Sequence, residues 1–259
     1  MIRILIWLHL LRLWRLRYSF LNMVVSNAMW VLLLILGVLL FVPRGELDMA
    51  LRSAYWTIAC WSVISNFSSL VGGWSNFFIS IGMVEEHLMR GISPFYVIGG
   101  RLIVATIVSS LTIALMGILV GALFSVDMFS LLSPELALLG FTVVSLESLL
   151  YGLTISALAM RTSVSEQFLE ILNFSTVGVL IVPTRVIPEN MRLVYLAIPY
   201  VAPAYLLKVS AGSESGSLIG FAVLISILET LILLSLTIMT MRSVERYLRR
   251  NGVRAIGFY

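Results

Sequence analysis

Six apolar stretches, each about as long as a bilayer is thick, leave this chain few ways to fold. They run near Leu21–Val42, Ala54–Met83, Val97–Val126, Ser133–Met160, Glu166–Pro183 and Leu218–Met241. About 20 apolar residues carry a helix across the hydrocarbon core. The polar remainder is too small to coat a soluble core, because 60% of the 259 residues are hydrophobic and only 12% are charged. Soluble domains are about 45–50% apolar. The expectation is an all-α integral membrane protein with six transmembrane helices, one domain over residues 1–259, with no soluble insertion and no internal repeat. Cys60 is the sole cysteine, which excludes an internal disulfide and a paired-cysteine metal site.

The first twenty residues, MIRILIWLHLLRLWRLRYSF, begin like a signal peptide. Arg12, Arg15 and Arg17 follow the apolar run at once, and no small-residue cleavage site appears. His9, Arg12 and Arg15 recur at steps of three, with Trp7 and Trp14 between apolar neighbours. The expectation is a retained interfacial helix over 1–20. With both termini cytoplasmic, twelve basic residues fall inside: Arg3, Arg12, Arg15, Arg17, Arg90, Arg101, Arg161, Arg242, Arg246, Arg249, Arg250 and Arg254. Five fall outside: Arg44, Arg52, Arg185, Arg192 and Lys208. The excess of arginine inside sets this orientation, and it places the interruption EEHLMRGISPFY and the Arg161 loop in the cytoplasm.

Signals for enzyme chemistry are sparse. The two histidines, His9 and His87, are far apart, and there is no HExxH, GxSxG or paired-aspartate motif. There is no GxxxxGK[ST] either, so this chain does not itself hold ATP in a P-loop. No basic-aromatic constellation points to nucleic acid.

Polar residues inside the spans are few. Glu147 and Glu229 lie near the middle of the fourth and sixth spans, where a charge costs roughly 2.5 kcal/mol or more on insertion scales. They are either contacts in a transport path, including a proton site, or hydrogen-bonded ties between helices. In the second span Ser62, Ser65, Asn66, Ser69, Gly72, Gly73 and Asn76 recur at steps of three and four, which puts them on one face of a regular helix. That face is either packed on protein or lines a pathway. Gly117 and Gly121 form a GxxxG read as packing. Pro183, Pro188, Pro199 and Pro203 punctuate a segment too polar to span and too apolar for a plain loop, which favours a short helix or re-entrant hairpin over 183–210, packed against the other spans.

Read in order, these residues resemble the transmembrane subunit of an ABC-2 type ABC transporter. Glu85-Glu86, Leu88-Met89, Ser93-Pro94 and Gly100-Arg101 follow the family pattern between the second and third spans, although its Gly-Thr is missing. Gly178, Pro183, Ile187-Pro188, Arg192, Pro199 and Tyr200 follow the pattern after the fifth, and a basic helix precedes the first. The resemblance implies a permease that pairs with a second permease subunit, identical or not, in the plasma membrane of a prokaryote. It implies a cytoplasmic coupling helix over 84–96, whose Glu85, Glu86, His87, Arg90, Ser93 and Pro94 contact a separate ABC-type ATPase, with Arg161 as a second contact. ATP and Mg would sit on that ATPase, and no cofactor on this chain. Pro183, Pro188, Arg192 and Pro199 would belong to an outer gate. The transported substrate stays open. A secondary transporter and a membrane-embedded lipid-modifying enzyme are the alternatives; the first would favour an inverted repeat, and the second a polar catalytic cluster.

Overall fold

A polypeptide in hydrocarbon has no water for its amides, so each spanning segment must satisfy its backbone internally. The computed structural model, which describes residues 2–39, 47–161 and 166–252, is helical accordingly, with no strand among the described residues. Among the described residues four helical stretches are long and apolar enough to cross a membrane. These are α2 (Arg17–Leu39), α6 with α7 (Pro94–Gly99 and Leu102–Phe124), α8 (Pro134–Arg161) and α12 (Ile219–Asn251). Two bent helix pairs raise the number to six if each is one span. The first is α3 and α4 (Leu47–Phe67 and Trp74–Ser80) turning through 83° into α5 (Met83–Met89). The second turns through 109° between α10 (Arg192–Leu196) and α11 (Val201–Ser210). The chain is a multi-pass membrane protein.

Several expected boundaries shift. The fifth stretch forms α9 (Glu166–Leu180), a helix of 15 residues. Its described residues reach about 22 Å at 1.5 Å per residue, with residues 162–165 before it outside the described ones. The sixth stretch runs ten residues beyond Met241, so α12 is about 50 Å long and leaves the bilayer by several turns. The N-terminal helix α1 (Ile2–Arg15) ends before residue 20, and Leu16 N and Phe20 N still bond to Arg12 O and Leu16 O at the junction with α2. Pro43-Arg44-Gly45, expected to end the first span, lies outside the described residues.

The second stretch departs most from a regular helix. A π-helical turn, Ser68–Gly73, sits between α3 and α4. It lets two backbones meet: a Cβ on Gly152 of α8 would lie 2.9 Å from Phe67 O, and one on Gly72 would lie 3.2 Å from Gly152 O. Around this contact Phe67, Val71, Val144, Ala157 and Met160 are buried, and α8 forms the axis on which α12, α11 and α3 pack. Gly117 packs against Tyr55 and Phe129 of its own chain.

Candidate functional site

At one end of the bundle the chain makes a rigid turn. Gly82, at φ +70°, ends the run from α4 and starts α5. Val84 is buried beneath α5, whereas Glu86, Arg90 and Met89 (82% exposed) face outward; Glu85 and His87 lie half-buried on its flanks. The Arg90 guanidinium donates to Glu86 at 2.5 Å, one helical turn away. Exposed pairs of this kind add little stability, so these charges remain available to another surface. Gly91 N bonds Leu88 O and Ile92 N bonds His87 O, a Schellman closure whose left-handed residue is Gly91 at φ +72°. Ser93 is extended, as a residue before proline prefers, and Pro94 opens α6 where its missing N–H costs nothing.

The exit of this turn is tied to the far end of the chain. Ser93 Oγ donates to Glu245 Oε2 at 3.1 Å, and Glu245 Oε1 accepts from Arg249 at 2.8 Å. A cavity of about 500 Å³ lies between Gly91, Tyr96, Met241, Arg242 and Arg249. Arg161, the last residue of α8, stacks over Tyr247 of α12 at 5.4 Å. Residues 162–165, the rest of the expected second contact, lie outside the described residues.

Within the apolar depth, α2, α3 and α9 enclose an open pocket of about 330 Å³. Asn27, Trp30, Trp61, Ser62, Asn66 and Asn173 are among its walls, with Ser65 beside them. Asn27 Nδ2 donates to Asn66 Oδ1 at 2.8 Å, and Asn66 Nδ2 donates to Ser109 Oγ at 3.2 Å. The Trp61 indole donates to Asn173 O at 2.8 Å. Asn173 Oδ1 is buried with no protein donor. This wall offers hydrogen bonds and aromatic surface without net charge.

Only part of the expected polar stripe belongs to it. The π turn inserts an extra residue into the helical repeat, so Ser69 is exposed while Gly72 packs on α8. The single face inferred from steps of three and four therefore breaks after Asn66. The side chain of Asn76 lies outside the described ones. Asn27 and Asn173 were missed. An isolated amide in an apolar span was their signal, but only the packing of three helices unites them.

Glu147 and Glu229 form part of a seam elsewhere, between α8 and α12. Glu147 is 1% exposed and accepts from Thr230 Oγ1 at 3.1 Å. Seven residues further along both helices, Thr154 and Thr237 hydroxyls are 2.9 Å apart. The repeat of seven, with Thr237 also bonding Leu150 O, favours the reading of Glu147 as a helix tie. Both Glu229 oxygens are buried without a hydrogen-bond donor.

The segment 183–210 is bent, turning through 109° between α10 and α11. Pro183 and Pro188 each precede a short 3₁₀ turn, and Arg192 Nε donates to Ile187 O at 3.1 Å. Pro199 is exposed at the bend, and every residue of α11 is buried. The Tyr195 hydroxyl lies 2.8 Å from the carbonyls of Val179 and Val182, which fastens α10 to the end of α9. Lys208, counted as a loop charge in the sequence, is instead in α11, 3% exposed, and donates to Leu180 O at 2.5 Å.

No protein-family model matches this chain, and no curated protein or solved structure matches it either.

Proposed function

We propose that this chain is the permease subunit of an ATP-driven export system of the ABC-2 type. In this reading α5 is the coupling helix and lies in the cytoplasm with both termini. It docks a separate ATPase that supplies ATP and Mg. A second permease copy completes the path, and the pocket of Asn27, Asn66 and Asn173 faces the transported molecule. The re-entrant α10–α11 turn closes the outer side.

One observation carries this reading. The α5 turn is a short helix set at 83° to the span that feeds it, bounded by two left-handed glycines, with Glu86, Met89 and Arg90 outward. A helix so held transmits a push rather than absorbing it. The Ser93–Glu245 bond passes that push to α12 as well as to α6. The arginine excess at the same end supports the cytoplasmic placement.

The test is whether a P-loop ATPase co-purifies with the chain from its native membrane. Glu86→Arg combined with Arg90→Glu, or Met89→Asp, should abolish recovery of the ATPase and ATP-dependent transport. Stability should hold, because exposed substitutions shift it by less than about 0.5 kcal/mol. Normal assembly and transport in both variants would sink the assignment.

A further inference from the structure

A second cluster lies where α1 meets the start of α7. The guanidinium of Arg101 sits 3.3 Å from the centroid of the Trp74 ring, and that of Arg12, from α1, sits 4.5 Å from the same centroid. His9 stands beside them, its Nε2 donating to Val97 O at 3.2 Å, with Gly100 beneath its ring. Arg101 is 2% exposed. Neither arginine has a carboxylate oxygen within salt-bridge distance among the described residues. One indole stabilises one cation well, but two guanidiniums on one ring repel each other. The Nε of Arg101 is buried with no acceptor. A buried cation without an acid is costly, and an anion on the two guanidiniums would offset that cost.

The surroundings say which anion. Arg101 stands between α6 and α7, toward the N-terminal side of the bilayer-length stretch Pro94–Phe124. Next to it an apolar pocket of about 250 Å³ opens between Ile6 of α1 and Tyr96, Gly99, Gly100, Leu102 and Ile103. Gly100 is shared, since it lines the pocket and packs under His9. On the outer side of α1, Trp7 and Trp14 are exposed, as aromatic side chains at a headgroup interface are. Cations at the membrane edge beside an apolar slot match a phosphate ester carrying an acyl tail. We propose that the Arg12–Arg101 pair binds the phosphate of an anionic phospholipid whose chain enters the pocket beside Ile6, thereby fastening α1 to the bundle. This rests on the chain being a membrane protein and not on the ATPase reading.

Native mass spectrometry of the full-length protein, exchanged with phosphatidylglycerol, phosphatidylcholine or inorganic phosphate, tests it. Phosphatidylglycerol should be retained about tenfold better than phosphatidylcholine, the preference of a charge-assisted contact. Arg12→Gln, on the exposed side of the cluster, should erase that preference while leaving helix content unchanged. Ile6→Trp, which fills the slot, should lower retention of both lipids. Inorganic phosphate should not displace phosphatidylglycerol. Equal retention of the two lipids by the unaltered protein, or an Arg12→Gln protein that keeps the preference, overturns the proposal. Displacement by inorganic phosphate with no effect of Ile6→Trp overturns the lipid in favour of a free anion.

Discussion

Among the described residues two helix pairs bend sharply, and the two bends end in opposite ways. At α5 the arm beyond the bend points Glu86 and Arg90 away from the protein. At α11 the arm beyond the bend is buried along its whole length, including Ser210 and Lys208. Both arms are short, and although α5 carries Glu85, Glu86 and His87, the burial of Lys208 in α11 means that charge alone does not decide which arm packs. Their anchors do. The α5 arm is fixed at its ends, by Gly82 and the Gly91 closure, and buries little besides Val84. The α11 arm is held by its sides, packed on α8, α12 and α3. An arm held by its ends can be pushed by a partner, whereas one held by its sides is part of the core.

The largest expected effect breaks that symmetry directly. Leu206, fully buried in α11, should cost about 2–5 kcal/mol as Leu206→Ala. Met89→Ala, on the exposed side of α5, should stay within about 0.5 kcal/mol. Thermal unfolding in one detergent compares them, and equal losses would erase the distinction between arms.

A smaller effect isolates the end anchor. Gly91→Ala forces a side chain into the left-handed region, a local cost of about 1–2 kcal/mol. The cost falls on the turn and not on the bundle. Trypsin should therefore cut after Arg90 several-fold faster, with the melting temperature nearly unchanged. Cleavage at the unaltered rate would mean that the turn is held by something other than its closure.

The pattern of what could be read ahead follows from where the forces act. Helices were legible because lipid compels each span to close its own hydrogen bonds, and the turns at Ser93-Pro94 and Pro183 were legible because proline and glycine act locally. The π turn at Ser68–Gly73 was not, since hydropathy is blind to one extra residue per turn, and the face assigned to Ser69 failed with it. The end of α9 at Leu180, ahead of Pro183, escaped because an apolar run does not announce that the Tyr195 hydroxyl will take the carbonyls of Val179 and Val182. Lys208 and Arg101 were read as charges that set orientation. Their burial depends on Leu180 and Trp74, residues 28 and 27 positions away in the chain, which no local pattern joins.

The smallest effect concerns how α1 is held against the α6–α7 start, close to the α5 arm. Burial, helped by the charges of Arg101 and Arg12, holds the His9 imidazole below its ordinary value, against the contrary pull of its bond to Val97 O. Docked α1 therefore prefers neutral His9, while the released helix takes up a proton near the ordinary value of about 6.5. Because the released state binds more protons, docking is complete above that pH and weakens as pH falls toward the depressed value. Protection of the α1 amides, with exchange corrected for its intrinsic pH dependence, should fall on acidification through this window and then level off. His9→Gln keeps a donor for Val97 O without a titrating group, so its exchange should show no such step. A step of equal size in that variant would assign the pH dependence elsewhere and leave α1 docked by its arginines alone.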